Sequence, residues 1–410
     1  MGNKRIPEVR FQGFTGEWEE RKLGDIADFS KGNGYSKSDL TDEGSPIILY
    51  GRLYTKYETV IKSVDTFTIE QGKSVISRGN EVIVPSSGET SEDISRASVV
   101  SNPGIILGGD LNIVRPGNEI DPVFLALTIS NGKQQKELSK RAQGKSVVHL
   151  HNSDLKEVSL IFPKKEEQKK IGNIFEQLDD TIALHQQELN TLKQTKQGFL
   201  QKMFPKEGES LPEIRFPGFS GGWKKRKLGE ISEKVSEKNK DNIYSETLTN
   251  SAEFGIINQR DFFDKDISNE KNLDGYYVVR PDDFVYNPRI SNLAPVGPIK
   301  RNNLGRTGVM SPLYYVFRTH DVDKTYLEKY FSSNSWHIFM KLNGDSGARS
   351  DRFAIKDSVF REMPIPMPSI DEQSQISKFF KQLDDTIALH QRELDALKET
   401  KKAFLQKMFI

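Results

Sequence analysis

The sequence contains no cysteine, no long apolar run and no excess of charge of either sign. Without cysteine, a disulfide framework, a thiolate-ligated zinc or iron–sulfur site and a cysteine nucleophile are all excluded. No segment approaches the ~20 apolar residues of a membrane span, and the N-terminus lacks the apolar core of a signal peptide, so we expect a cytoplasmic protein. The 59 basic and 58 acidic residues give a net charge of +1. Composition alone therefore does not indicate a nucleic-acid binder.

Motifs for nucleotide, cofactor or metal chemistry are also missing. The Gly-Lys-Ser triplets at 72–74 and 144–146 lack the earlier glycine that a P-loop requires. There is no HExxH zinc motif, no G-x-S-x-G nucleophile elbow and no glycine-rich cofactor loop. His149 and His151 are interpreted as polar residues of a loop or a nucleic-acid-facing surface. We therefore expect no catalytic residue, no metal site and no cofactor in this chain.

An internal repeat divides the 410 residues, a length that suits two or three domains. Segment 7–24, PEVRFQGFTGEWEERKLG, recurs at 212–229 as PEIRFPGFSGGWKKRKLG. Segment 167–204 recurs at 372–409, and both copies contain LDDTIALHQ. Both pairs are offset by 205 residues, half of the chain, whereas the residues between them are largely dissimilar. Each half therefore consists of a variable block followed by a constant block.

Each constant block is predicted to be one long helix. Apolar positions recur at alternating steps of three and four, which is the heptad pattern of a coiled coil, and no proline interrupts them. His185 and His390 fall on this seam and are interpreted as polar residues that help to fix its register. The paired aspartates at 179–180 and 384–385 are interpreted as a solvated or partner-facing patch. The apolar seam positions are Phe175, Leu178, Ile182, Leu189, Leu192, Phe380, Leu383, Ile387, Leu394 and Leu397.

The two helices are predicted to pair with each other in antiparallel orientation, about a pseudo-two-fold axis. A heptad seam must be covered, and the nearest cover is the other copy in the same chain; pairing with another chain is the alternative. Each helix would be roughly 55 Å long at ~1.5 Å per residue. The predicted order is a globular domain over 1–163, a helix over 164–204, a linker and second globular domain over 205–368, and a helix over 369–410.

The variable blocks are predicted to be mixed α/β domains, since short runs of β-branched and aromatic residues accompany helical patterns. Predicted strands lie at 45–50, 74–77, 81–85, 111–115, 276–280, 283–287 and 313–318. Predicted helices lie at 122–138 and 324–342. The fold class is thus α/β, of the mixed α+β type, with two globular domains joined by two long antiparallel helices that form an intramolecular coiled coil.

Loops in both variable blocks carry side chains that suit contacts with DNA. Arginine binds guanine and Asn or Gln binds adenine, whereas Lys and Ser hold phosphates. A single loop of this kind is commonly plain solvated surface, but both halves carry such loops at matching places. Candidate DNA contacts in the first block are Arg52, Lys56, Ser86, Ser87, Arg96, Lys145 and His149. Those in the second are Asn258, Gln259, Arg260, Asn287, Arg289, Arg301, Arg306, Arg349 and Arg352.

Taken together, these features resemble the specificity subunit of type I restriction–modification enzymes. The resemblance covers the whole chain and rests on the order of variable and constant blocks, on the FxGFxGxWxxRKLG openings with Trp18 and Trp223, and on the EQxxI…LDDTIALHQ…FLQKMF helices. It implies a subunit that is not itself a catalyst. Each variable block would be a target recognition domain for one half of a split DNA sequence, and the helices would set the spacer and dock the modification subunits.

The resemblance also implies the partners. They would be double-stranded DNA with a bipartite sequence, two modification subunits that methylate adenine, and two restriction subunits that supply an ATP-dependent nuclease. S-adenosylmethionine, ATP and magnesium would belong to those subunits, and the complex would act in the bacterial cytoplasm, at the nucleoid when bound. The alternative is a structural coiled-coil adaptor with two protein-binding heads, which the neutral net charge favours.

Overall fold

The chain forms two compact units, each of which uses parts of both halves of the sequence. The computed structural model describes residues 5–91, 93–142, 144, 147–262, 273–345 and 351–409. The first unit comprises the chain up to Glu188 together with the chain from His390 onward, and the second is Leu189–Leu389. Each unit therefore holds one globular domain, the N-terminal half of one long helix and the C-terminal half of the other. None of the helices within the described ranges has both the length and the apolar character that a membrane span requires.

The first long helix spans Lys165–Lys202 and the second spans Ile370–Lys407, with 38 residues each. Both begin directly after a proline-terminated segment. The side chain of Gln168 donates to the carbonyl of Pro163 at 2.8 Å, and Gln373 donates to Pro368 at 3.0 Å. Each helix has acidic residues in its first turn and lysine in its last, which complements the helix dipole.

Within each unit the two helix halves run antiparallel, which confirms the predicted intramolecular pairing. In the first unit the rings of Phe175 and Phe409 lie 5.9 Å apart. In the second unit the rings of Phe199 and Phe379 lie 5.0 Å apart, and Lys196 pairs with Asp384 at 2.6 Å. Every predicted seam residue is buried or half-buried: Phe175, Leu178, Ile182, Leu189, Leu192, Phe380, Leu383, Ile387, Leu394 and Leu397.

As far as the structure describes the first unit, its globular part is built on two five-stranded sheets. One has the strand order Ala27–Lys31, Leu111–Pro116, Glu81–Pro85, Ser98–Val100 and Val60–Ile61. The other has the order Leu40–Thr41, Phe67–Thr68, Ser45–Ile48, Pro103–Leu107 and Ile76–Arg78. Two shorter ladders pair Glu19–Lys22 with Ser159–Phe162 and Ser87–Gly88 with Val148–His149. The α-helices are Leu23–Ile26, Arg52–Thr55, Pro122–Ser130, Gly132–Arg141 and Asn152–Lys156.

Within the described residues, the globular part of the second unit has one four-stranded sheet and three two-stranded ladders. The sheet has the antiparallel order Ser232–Lys234, Tyr315–Thr319, Phe284–Tyr286 and Ile299–Arg301. The ladders pair Lys224–Lys227 with Pro364–Met367, Leu248–Ser251 with Gly255–Asn258, and Tyr277–Val279 with Gly308–Met310. The shorter α-helices are Gln259–Phe262, Lys324–Ser332, His337–Asn343 and Asp357–Phe360.

The two helices predicted within the variable blocks are each broken in two, so those predictions are wrong in extent. At the first break Asn131 is extended and Gly132 has φ +71°, a conformation that glycine adopts without strain. At the second break Ser333 is extended, and the Trp336 indole donates to the carbonyl of Phe331 at 3.1 Å. The seven predicted strands all coincide with observed strands, with ends displaced by at most two residues.

Each hydrophobic core is closed by the end of a long helix. In the first unit Phe124 packs against Trp18 and against Phe409, with ring centroids 5.8 Å apart in both pairs. In the second unit Phe204 lies 5.5 Å from the ring of Tyr326, which also contacts Trp223. Because full burial of one such side chain contributes about 1.5–3 kcal/mol, these aromatics attach the helix ends firmly to the domains.

The repeated opening motif clamps each domain to the start of a long helix. Arg10 donates to both carboxylate oxygens of the buried Glu167, at 2.7 and 2.8 Å, and also to the carbonyl of Gly16. Arg215 binds Glu372 with the same two distances. A bidentate arginine–carboxylate pair fixes orientation as well as distance, so the matched segments of the sequence hold domain and helix together.

Candidate nucleic-acid interface

A surface cleft of about 460 Å³ in the second unit gathers four of the predicted DNA contacts. It is lined by strand Leu248–Ser251, which pairs with Gly255–Asn258 in a hairpin, and by the segment that follows strand Phe284–Tyr286. The turn between the two strands of the hairpin is tight because Gly255 has φ +73°. The predicted residues that line the cleft are Gln259, Asn287, Arg289 and Arg352.

Local hydrogen bonds orient the polar side chains of this cleft. The amide of Asn287 donates to the carbonyl of Asn250 at 2.8 Å, and its oxygen accepts the N–H of Arg289 at 3.0 Å. Arg289 is exposed, and its guanidinium lies 3.9 Å from the carboxylate of Asp351. Its backbone forms a β-bridge with Arg352. The two arginines therefore line the cleft from backbone segments that are bridged to each other.

Two acceptors in the cleft are left open. The side-chain oxygens of Gln259 and Asn250 are buried and have no hydrogen-bond partner in the described part of the chain. A buried polar atom without a partner costs about 1–3 kcal/mol. Both residues line the cleft.

Sequence reasoning missed other residues of the cleft. Asn250, Leu293 and Tyr314 line it, and Leu293 is 71% exposed. Tyr314 lies 3.0 Å from the hydroxyl of Thr249. The signal available in the sequence was the pattern LTNSAEFGIIN, a turn flanked by two short apolar segments, which is typical of a hairpin.

Four of the remaining predicted contacts of the second domain lie outside this cleft. Asn258 and Arg306 both donate to the carboxylate of Glu246, at 3.0 and 2.7 Å. The hydrogen bond from Arg306 lowers the pKa of Glu246, although burial alone would raise it. Arg301 is largely buried and pairs with Asp282, and its contact with DNA stays a prediction. The other two are Arg260, which is exposed on helix Gln259–Phe262, and Arg349, which lies outside the described residues.

In the first unit, the ladder of Ser87–Gly88 with Val148–His149 brings together three predicted contacts. Ser87 Oγ lies 3.2 Å from His149 Nδ1, and the Tyr54 hydroxyl donates to the carbonyl of Ser87 at 2.8 Å. Ser86 is buried beside this ladder, whereas His149 is exposed. The imidazole of His151 stacks parallel to that of His149, with centroids 6.3 Å apart. Lys145 lies outside the described residues.

Arg52 and Lys56 are tied to carboxylates of their own domain. The guanidinium of Arg52 is 8% exposed and donates to Asp65 at 2.8 Å and to Glu58 at 2.7 Å. Lys56 donates to Asp65 at 2.9 Å. The hydrogen bonds from Lys56 and Arg52 lower the pKa of Asp65 to about 2. These contacts give Arg52 a structural role, and its contact with DNA stays a prediction.

Arg96 is the remaining predicted contact of the first domain. It pairs with Asp93 at 2.6 Å, and its guanidinium carbon lies 6.0 Å from the centre of the Tyr57 ring. About a third of its side chain is exposed. Arg96 is therefore held at the surface, with donors still facing solvent.

The family of the chain follows from comparison with known proteins. Residues 15–194 and 220–399 match the model of the type I restriction modification DNA specificity domain. Each match covers one globular part and most of one long helix. The chain therefore belongs to the type I restriction–modification DNA specificity family, as a specificity subunit with two recognition domains, which confirms the resemblance stated above.

Two relatives from Methanocaldococcus jannaschii are similar over nearly the whole chain. The specificity subunit named for type I restriction enzyme MjaX is 26% identical, with 95% of this chain and 92% of that protein covered. The specificity subunit of type I restriction enzyme MjaVIII is 22% identical, with 99% and 93% covered.

Two solved structures share the fold. The S subunit of a type I restriction–modification system from M. genitalium has a TM-score of 0.58 at 15% identity, with 99% of both chains covered. A chain from a study of complex assembly and conformational transition of the type I system has a TM-score of 0.53 at 17% identity, with 95% of this chain and 96% of that chain covered. At these identities the similarity establishes the fold alone.

Proposed function

We propose that this non-catalytic subunit selects the DNA target of a type I restriction–modification complex, with each globular domain reading one half of a bipartite sequence. The observation that carries the proposal is the cleft of the second unit. It combines Asn and Gln amides, two arginines and an exposed leucine on an ordered backbone. These are the groups that bind adenine, guanine and the thymine methyl group in the major groove.

The two domains offer different chemistry to the duplex. The first presents a serine–histidine pair on a short ladder, whereas the second presents Asn287, Arg289 and Arg352 beside a hairpin. Unlike side chains at the two sites support two unlike half-sites. The near-neutral net charge favours weak binding to random DNA, because nonspecific affinity follows the number of phosphates neutralised.

The long helices support a role in spacing the half-sites. Half-sites on one face of B-DNA are ~34 Å apart or a multiple of that distance. A helix of 38 residues is about 57 Å long at ~1.5 Å per residue, so its length is of the required order. Deletion of one heptad from both helices should therefore change the permitted spacer.

The helices also offer the same surface twice for two modification subunits. The segment ALHQ occurs in both copies, and its leucine is exposed in each: Leu184 by 54% and Leu389 by 47%. Single exposed apolar residues are common, but an identical pair suits a partner that binds in two copies. In this proposal S-adenosylmethionine, ATP and magnesium are bound by the modification and restriction subunits.

Sequence-specific DNA recognition can be tested by selecting bound duplexes from a random library in the presence of the modification subunits. The unmodified chain should enrich a bipartite motif. Arg289→Ala should relax the preference at one base of one half-site by about 1–3 kcal/mol, or roughly 5–150-fold, and leave the other half-site intact.

Arg280→Ala is the matched control for this experiment. Arg280 is also an exposed arginine of the second domain with a carboxylate partner, but it does not line the cleft. Enrichment of no motif by the unmodified chain would favour the adaptor alternative. If the Arg289→Ala variant enriches the same motif as the unmodified chain, Arg289 does not contact the bases.

A further inference from the structure

Two histidines and two glutamates of the long helices face one another within the first unit. His185 and Glu188 are one turn apart on the first long helix, and His390 and Glu393 occupy the matching positions of the second. His185 Nδ1 lies 3.8 Å from Glu393 Oε2, and His390 Nδ1 lies 3.7 Å from Glu188 Oε2. The imidazole centroids are 5.9 Å apart. The repeated His-x-x-Glu motif thus meets its own copy because the helix halves are antiparallel.

Two observations indicate that this cluster is built for a ligand. The Nδ1 atoms of both histidines are buried, and the described residues provide no hydrogen-bond partner for either. One ligating atom from each of His185, Glu188 and His390 lies within 4.8 Å of the others. Half-buried imidazoles with open nitrogen atoms beside carboxylates are a typical metal-binding set.

We propose that this cluster, which we call the helix-pair site, binds one divalent transition-metal ion and that zinc fits it best. Zinc bonds of about 2.1 Å at tetrahedral angles place ligating atoms about 3.4 Å apart, so side-chain adjustments of about 1 Å suffice. Imidazole nitrogen suits zinc, cobalt, nickel and copper, whereas magnesium and calcium prefer oxygen alone. Glu393 or a water molecule completes the four ligands.

The bound ion would link the two long helices and hold their register. His185 and Glu188 come from one helix, and His390 comes from the other. Metal binding that requires the paired state stabilises that state by mass action. The inference is independent of DNA recognition, because it concerns only the pairing of the helices.

Titration of the full chain, stripped with a chelator and then exposed to zinc, tests the helix-pair site. We expect one zinc ion per chain and a rise in the unfolding temperature on binding. His185→Gln combined with His390→Gln should weaken binding at least tenfold and abolish the rise. Cobalt used in place of zinc should give the absorption spectrum of a tetrahedral nitrogen and oxygen site, and the same variant should lose it.

His320→Gln is the control, since His320 is also a histidine beside a carboxylate, 3.0 Å from Asp321, in the other unit. It should bind zinc like the unmodified chain. Glu188→Gln combined with Glu393→Gln provides a second variant in case the histidine variant does not fold, and it should also weaken binding at least tenfold. Absence of zinc binding, or binding that both cluster variants retain, would overturn the proposal.

Discussion

At the scale of residues, the first aspartate of each LDDT segment joins three parts of its unit. Asp384 accepts hydrogen bonds from Lys196 of the facing helix and from Lys329 of the globular domain, both at 2.6 Å. Asp179 is bound in the same manner by Lys401 and by Thr59. The interpretation of the aspartate pairs as a solvated or partner-facing patch therefore fails for Asp179 and Asp384, because the antiparallel helix supplies a lysine that sequence spacing alone could not assign. The second aspartate of each pair, Asp180 and Asp385, is exposed.

Asp384→Asn should destabilise the second unit by about 1–3 kcal/mol, because the nearly buried Lys329 loses its anionic partner. Thermal unfolding measures the change, and the adjacent, exposed Asp385→Asn is the matched control. Burial opposes ionisation of Asp384, but the hydrogen bonds from Lys196 and Lys329 lower its pKa below the ordinary 3.8.

The sign of the pH dependence follows from that lowered pKa. The stabilisation by Asp384 is complete above the ordinary carboxyl pKa and is lost as the pH falls through the lowered value. The difference between the unmodified chain and Asp384→Asn should therefore shrink below about pH 4. A difference that grows on acidification, or equal stability of the two at pH 7, would contradict this account.

At the scale of elements, each long helix has an apolar seam on one side and an exposed leucine on another. The seam residues are buried or half-buried, whereas Leu184 and Leu389 stand in solvent. Nothing within the described residues requires a leucine at either exposed position. Since about half of each leucine is already exposed, Leu→Asp there should leave folding intact.

Leu184→Asp combined with Leu389→Asp should weaken co-purification of the modification subunits by about tenfold or more, because a charge would enter an apolar contact. Gln177→Asp combined with Gln382→Asp adds the same charge at exposed positions of the same helices and should have little effect. If the leucine variant co-purifies with the modification subunits as well as the unmodified chain does, the docking surface does not include these leucines.

At the scale of the whole molecule, both halves of the chain contribute to both units. The first unit needs Met408 and Phe409 for its core, and the second needs Leu200, Met203 and Phe204. A cut between the halves would therefore separate each domain from helical residues that complete its core. This arrangement couples the stability of each domain to the pairing of the helices.

Deletion of residues 186–192 together with 386–392 should shorten the permitted spacer between half-sites by about three base pairs. One heptad spans about 10.5 Å at ~1.5 Å per residue, and base pairs rise by ~3.4 Å. Both deletions lie between the ion pairs Asp179–Lys401 and Lys196–Asp384, so those pairs are kept. Methylome sequencing of cells with the variant measures the spacer.

Deletion of 186–192 alone is the control, since it shifts the register of one helix against the other and should abolish modification. If cells with the double-deletion variant methylate DNA at the original half-site spacing, the helices do not set the spacer. Complete loss of modification in a folded double deletion would mean that the altered spacing cannot be used by the partner subunits.

The sequence by itself determined the duplication, the two long helices and the seam residues, because repeats and helical periodicity are properties of neighbouring positions along the chain. The family also followed from those matched segments. The short strands were located for the same reason, whereas Asn131–Gly132 and Ser333 broke helices that periodicity alone would continue.

Only the tertiary structure decided which polar residues act together. A hairpin and a β-bridge bring distant segments side by side, so that one cleft is lined by Gln259, Asn287, Arg289 and Arg352. Arg52 is held by Glu58 and Asp65 instead of facing outward, and His185 meets Glu393 across paired helices. Such contacts depend on three-dimensional packing, which loop composition does not encode position by position.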